Sequence, residues 1–357
     1  MTINTININD FLGDIENCYL GYSLSQNIRR NAASGGIVSS ILLYLLESRE
    51  VDGALVSKIS IENGEISSKT FIATTSEEIL DCRSSIYFDV SVISNLNQIR
   101  NFDGRLAIVG LPCHLSVFRR IIEKDEKIKN KINLMIGLFC GHNSQKELLD
   151  RLIMLKKINK KNIKNIIFRR GHWRGNMYIY FNNGEHISFP FQDFSLYQNL
   201  HFFSLRKCLF CSDHTGELSD ISCGDAWLTS LKRNEIKHSI FISRNKKSEK
   251  IINNMIENGL ISSRKISPFI VFGSQKRSLI YHKSIKARAK VARLFGMKIN
   301  VYPETSHDLR WNDLLAAFIV LTNYHLSKSE KFNNVIFHIP RPILYLYLGI
   351  FKILTNF

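Results

Sequence analysis

Residues 105–113 read RLAIVGLPC and residues 132–141 read INLMIGLFCG. Each is a short apolar run that ends in a turn bearing a cysteine. Apolar runs of this length without polar alternation are the pattern of strands buried on both faces, as in a parallel sheet covered by helices. Pro112 follows the first run at a position suited to the first turn of a helix, which the pattern extends to about residue 129. If the two strands are parallel neighbours, Cys113 and Cys140 both lie at the carboxyl edge of one sheet, where such sheets bind ligands.

Toward the N-terminus, residues 53–59 and 69–73 are expected strands and 37–47 a helix, with Ser34 as its N-cap and Gly35-Gly36 in the turn before it. Thr75-Ser76-Glu77-Glu78 predicts a capping box opening a short helix that ends near Cys82. Toward the C-terminus, Ser144 is expected to cap a helix reaching about residue 157, and 163–168 reads as a strand. Residues 177–181 and 185–191 alternate on either side of Asn182-Asn183-Gly184, a hairpin signal. A cysteine-rich stretch at 206–227 precedes a strand at 239–243, a helix from about 248 to 259 and a long basic helix over 275–295. The expected fold class is α/β passing into α+β, with mixed sheets and flanking helices. An N-terminal α/β module is expected over 1–160, a C-terminal α+β module over 161–330 and an apolar tail over 331–357.

With 357 residues, 45% of them hydrophobic, the chain has material for a large core, and global disorder is excluded. The net charge of +17 is dispersed, with modest concentrations at 156–170 and 232–250. Such a surface suits an anionic cofactor or an acidic electron-transfer partner, and no nucleic acid is expected. The opening MTINTININD has no basic segment followed by an apolar run, so a cytoplasmic location is expected. Seven cysteines there are free thiols or metal ligands rather than a disulfide framework. The apolar stretch 335–354 is interrupted by His338 and Pro340-Arg341-Pro342, which argues against a spanning helix. It is expected to dock on the body of the protein, with peripheral contact at the inner face of the membrane as the alternative.

Cys208-Leu209-Phe210-Cys211 is the sharpest chemical signal. Two thiols at this spacing serve an iron–sulfur cluster, a zinc ion or a redox disulfide equally well. A four-ligand site needs two more cysteines, and Cys113 and Cys140 are available at the expected sheet edge. Ser34-Gly35-Gly36 opening a helix lets an anion such as a pyrophosphate approach free N–H groups, and Arg29 and Arg30 just upstream suit phosphate oxygens. Arg169, Arg170 and His172 are further candidates for a phosphate or substrate. No Ser/His/Asp or Cys/His pattern suggests hydrolysis.

Six segments occur in an order that resembles the coenzyme F-420 hydrogenase/dehydrogenase beta-subunit family. They are Ser34-Gly35-Gly36, Gly110-Leu111-Pro112-Cys113, Phe139-Cys140-Gly141, Phe168-Arg169-Arg170-Gly171, Arg206-Lys207-Cys208-Leu209-Phe210-Cys211 and the run from Asp220 to Trp227. The resemblance covers about residues 18–300 and includes both family modules. It implies an oxidoreductase carrying FAD and a [4Fe–4S] cluster, with Cys113, Cys140, Cys208 and Cys211 as cluster ligands. It further implies flavin contacts at Ser34, Gly35 and Gly36 and around Asp225 and Trp227. Ser84-Ser85-Ile86-Tyr87 resembles a family Ser-Lys-Tyr stretch but lacks its lysine. Bacterial relatives are often associated with surface polysaccharide biosynthesis, which makes a glycan precursor or another small molecule the expected substrate. Many of them carry a ferredoxin-like module, and no cysteine precedes Cys18 here, so one cluster and a separate ferredoxin or partner redox subunit are expected. The rival reading is a non-redox, metal-stapled binding or scaffold protein in polysaccharide assembly.

Overall fold

The computed structural model describes residues 7–299 and 309–355, so the first six residues of the opening segment and the last two of the tail lie outside the described residues. Eleven strands occur in two sheets among the described residues. They are β1 (Asn17–Ser23), β2 (Gly53–Glu62), β3 (Glu65–Ala73), β4 (Leu106–Gly110), β5 (Ile132–Leu138), β6 (Ile163–Arg170), β7 (Asn176–Phe181), β8 (His186–Pro190), β9 (Ile221–Asp225), β10 (Ser239–Ser243) and β11 (Ile261–Ile266). The larger sheet runs β11-β1-β10-β9-β5-β4-β2-β3, and β6-β7-β8 form the smaller one.

The two quoted runs are β4 and β5, and they pair in parallel from Leu106↔Ile132 to Gly110↔Gly137. β2 extends the parallel block on one side and β9 on the other, so four carboxyl ends share one edge. Leu106, Ala107 and Ile108 are fully buried, as strands covered on both faces must be. One face is covered by the helices Ile37–Glu47 and Lys246–Glu257, through residues such as Ile41, Leu45, Ile252 and Met255. The helix Pro112–Ile122 covers the other with Leu115 and Phe118. A second core joins the small sheet to the C-terminal helices Trp311–Leu326, Glu330–His338 and Arg341–Leu354.

The helix 37–47 and the strand 239–243 have their expected bounds, and the capping box of Thr75 and Glu78 is present. Ser34 is not the cap. That position falls to Gly36 in a left-handed conformation, and the Ser34 hydroxyl donates instead to the His238 carbonyl at 3.0 Å. The helix expected over 112–129 breaks after Ile122, and a second one, Glu126–Lys131, starts with Asp125 accepting from the Ile128 amide. The basic helix expected over 275–295 is instead Pro268–Lys283 followed by Ile285–Ala292. The boundary near residue 160 is one of sequence rather than of space, because β9, β10 and β11 complete the sheet that β1, β2, β4 and β5 begin. Among the described residues no single helix is long and apolar enough to cross a membrane; Glu330–His338 and Arg341–Leu354 together reach that length but are bent by 102°.

Candidate functional site

Where β4 and β5 end, the chain turns through Pro112-Cys113 and Phe139-Cys140-Gly141. The short helical turn Arg206–Phe210 carries Cys208 and leads into Cys211, and backbone bonds tie it to the same edge: the Leu205 amide donates to Asn143 O at 3.1 Å. The Asn143 amide points at the Cys208 sulfur at 3.3 Å. Cys140 feels the charge of Cys208, Cys211 and Cys113, so all four thiols share one electrostatic neighbourhood.

Burial pushes each of these thiols up, Cys208 to about 11 and Cys211 to about 12, and mutual repulsion adds to the effect. Cys140, raised well above the usual thiol value by burial and then by its three neighbours, is the extreme case. Four such thiols do not ionise unaided; a metal centre bound there would supply the positive charge that makes them thiolates. Among the described residues no three His, Cys, Asp or Glu side chains converge tightly enough to hold a single metal ion. A tetrahedral zinc site needs sulfurs about 3.8 Å apart, from its metal–sulfur distance of about 2.3 Å. A four-iron cube holds its ligands at separate corners, farther apart. The all-thiol donor set and a buried guanidinium without an ion pair, Arg288, both fit a net-anionic cluster.

The loops holding the thiols are braced from Pro268–Lys283 and Ile285–Ala292. His282 faces Gly141 O at 2.6 Å and Cys211 O at 3.2 Å, and His214 joins Cys140 O to Gln275. Gln275 in turn donates to Asp225 O at 2.7 Å. None of these bracing residues was singled out from the sequence. In the helix Pro268–Lys283, Gln275, His282 and Lys283 are buried, which no local feature of the sequence signals.

Beside the thiols opens a cleft of about 300 Å³. Its wall includes Ser34, Gly36, Ile37 and Val38 from the helix start, Ser84 to Tyr87, Cys140 to Asn143, Cys223 and Asp225. The first-turn amides of a helix lack intrahelical acceptors, so this end of Ile37–Glu47 offers N–H groups to a ligand in the cleft. Gly35 lies in close contact behind this wall, its amide donating to Ser239 Oγ at 2.9 Å. Arg83, not singled out from the sequence, also lines the cleft.

Several other named residues sit elsewhere. Arg29 donates to Ser23 O at 2.5 Å and Arg30 is exposed; neither lines the cleft. Arg169 is buried and its guanidinium is occupied by Asp225 at 2.5 Å and the Tyr87 hydroxyl at 3.1 Å. Burial opposes the charge on Arg169, but Asp225 and Tyr87 hold its pKa above the usual value. Asp225 therefore reaches the cleft wall already paired. Trp227 packs edge-on against Trp173 with centroids 5.3 Å apart and lies under Arg169, lining a smaller neighbouring cavity. Arg170 donates to the Tyr180 hydroxyl at 3.1 Å, and His172 faces Lys232 O at 2.6 Å.

Residues 18–97 match the family description "Coenzyme F-420 hydrogenase/dehydrogenase, beta subunit N-term", and residues 103–268 match the description of the C terminus of the same beta subunit. Among curated proteins, the coenzyme F-420 hydrogenase subunit beta of Methanococcus voltae is 27% identical over 71% of this chain and 86% of its own length. A subunit of the F(420)H(2) dehydrogenase of Methanosarcina mazei is 31% identical over 59% of each chain. A chain of the F-420-reducing [NiFe] hydrogenase complex from Methanosarcina barkeri shares the fold, with a TM-score of 0.63, 20% identity and coverage of 82% of this chain and 98% of that one.

Proposed function

This chain belongs to the coenzyme F-420 hydrogenase/dehydrogenase beta-subunit family, and from that premise we propose that it is an iron–sulfur flavoprotein oxidoreductase. Electrons pass between a ferredoxin or partner redox subunit and an unidentified small molecule or glycan precursor, in surface polysaccharide biosynthesis. Cys113, Cys140, Cys208 and Cys211 hold a [4Fe–4S] cluster, and the cleft beside them holds FAD. The cluster supplies one-electron storage and the flavin the exchange between one- and two-electron chemistry.

The observation that carries this reading is the shared wall: Cys140 belongs both to the thiol neighbourhood and to the lining of the cleft that the Gly36 helix start enters. The chain's own residues have distinct tasks. Amides from Gly36 to Val38 bind pyrophosphate oxygens, and Arg83 adds positive charge to the cleft. Leu42, Val56 and Ile86 exclude water from the cleft. Arg169, through Asp225, holds the end of β9 in place. Lys207, salt-bridged to Asp89 at 2.5 Å, places a cation near Cys113 and Cys208. That the relatives are named as subunits of hydrogenases and dehydrogenases supports a protein electron donor.

Anaerobic purification followed by assay of iron, sulfide, zinc and flavin tests the proposal. About four irons and four sulfides with one flavin per chain are expected, and Cys208→Ser is expected to lose most of the iron. A colourless protein with one zinc would reject the redox reading in favour of a metal-stapled scaffold.

The C-terminal helices support a cytoplasmic protein in peripheral contact with the inner face of the membrane. Trp311–Leu326 and Arg341–Leu354 lie antiparallel, Asn312 donating to Leu354 O at 2.8 Å and Tyr347 to Asn323 at 3.0 Å. Their outer faces expose Trp311, Leu315 and Phe318 on one helix and Ile343, Leu346, Ile350 and Ile353 on the other. Both sets follow helical spacing, and a chain of net charge +17 complements anionic headgroups.

A further inference from the structure

We propose that Arg288 is a built-in counter-charge for the four-cysteine centre and sets how readily that centre accepts an electron. This rests on the iron–sulfur reading above. Arg288, in the helix Ile285–Ala292, is 1% exposed and heads the fully buried side chains by volume. Its fork donates to Leu209 O at 3.1 Å, to Cys211 O at 2.9 Å and to His282 O at 2.8 Å. All three acceptors are neutral carbonyls, two of them within the Cys-x-x-Cys segment. No carboxylate among the described residues forms an ion pair with it.

Among the described residues, other deeply buried cations are ion-paired or have carboxylates nearby. Arg169 has Asp225, Lys283 has Glu217 at 2.6 Å, and Arg244 has Asp213 and Glu217 in its neighbourhood. Arg288 forms no ion pair among the described residues, and its polar neighbours are neutral. Its guanidinium carbon lies 4.4 Å from the Tyr281 ring centroid, and the Tyr281 hydroxyl engages the same guanidinium, another neutral partner. Tyr281 interacts with Arg288 and also feels Cys208 and Cys211, so the cation lies beside the thiol pair, as its bonds to the Leu209 and Cys211 carbonyls show.

A buried guanidinium without an anion is costly, and a fold retains one where something else supplies the negative charge. Four thiolates around a [4Fe–4S] core leave a net negative charge, and reduction deepens it by one electron. A fixed cation bonded to the ligand backbone therefore favours the reduced form over the oxidised one and raises the potential. The flavin phosphates are not the missing anion, because neither Arg288 nor Tyr281 lines the cleft.

The test is an EPR-monitored redox titration of the anaerobically loaded full chain, as wild type, Arg288→Gln and Arg288→Lys, with urea unfolding of each apoprotein. Arg288→Gln is expected to keep its iron and sulfide. At the wild-type midpoint its ratio of reduced to oxidised cluster should fall at least tenfold, about 59 mV for one electron. Arg288→Lys, which keeps the charge, should stay near wild type. The Arg288→Gln apoprotein should resist urea better than wild-type apoprotein, since it no longer buries an unmatched charge. A fully loaded Arg288→Gln protein with an unchanged potential overturns the inference. So does failure of both variants to load, which would make the role one of shape. Wild-type protein that takes up no iron or sulfide rejects the iron–sulfur reading itself, whereas a loaded wild type with an unshifted Arg288→Gln rejects only the role of Arg288.

Discussion

At the scale of single residues, burial decides which charges this protein tolerates. His201 is buried, stacked on His142 with centroids 4.0 Å apart and set against Tyr281 and Phe351. Burial, with lesser effects from His142, Arg288 and His282, holds its pKa well below the usual histidine value. In the unfolded chain the same imidazole takes a proton near about pH 6.5. The folded state then binds fewer protons than the unfolded one, so stability is present above that pH and is lost as pH falls below it, by at most about 1.4 kcal/mol per pH unit. His201→Phe, which keeps a ring in the stack, should reduce the loss of urea resistance between about pH 7.5 and 5.5. Equal losses in wild type and variant would show that His201 carries no part of it. The strand-end positions of Cys113 and Cys140 were legible because they are local features. Arg288 and His282 were not, because a basic residue in a basic helix has the same local signature whether it faces water or a buried site.

At the scale of elements, the helix start at the cleft depends on backbone shape. Gly36 has a φ of +84°, and a Cβ there would come within 2.7 Å of Ile28 Cγ2. Gly36→Ala is expected to cost about 1–2 kcal/mol from the left-handed conformation alone. It should also weaken flavin binding, because the amides behind that turn are the ones offered to the cleft. Urea unfolding and flavin titration check the two effects, and a variant with unchanged flavin affinity would remove the helix start from the binding site. Gly224, which also lines the cleft, has a related part: an added Cβ would run into the Phe139 ring, next to Cys140. The apolar helix Ile37–Glu47 and the continuous apolar runs of β4 and β5 were legible as elements, and the structure pairs the two strands in parallel. β1, β9 and β11 went unread because NCYLGYS, ISCGD and ISSRKI interleave polar and small residues with the apolar ones. Pairing with neighbours, rather than local propensity, makes them strands.

At the scale of the whole molecule, the C-terminal helices bury one face and expose the other. Ala317, Val320, Leu321, Leu344, Leu348 and Phe351 join the second core, while the outward face stays apolar. The full chain is expected to float with vesicles containing phosphatidylserine and not with phosphatidylcholine alone. Leu346→Ser combined with Ile350→Ser should abolish that flotation with the fold retained, since both side chains point outward. No flotation with either vesicle, or equal flotation of the double variant, would leave the tail as a docked element only.

The amino-acid sequence by itself determined the buried parallel strands, the positions of the four cysteines along the chain, the glycine-bearing helix start and the family resemblance. All of these depend on residues within a few positions of one another, or on motif order. Tertiary structure decided that β9 joins β5, so that segments more than eighty residues apart share one sheet edge. It also turned Arg169 toward Asp225 rather than toward a ligand, and set Arg288 under the Cys208–Cys211 turn. These outcomes depend on which neighbours burial brings together and on whether each buried charge meets its opposite, and neither is recorded in any single stretch of the chain.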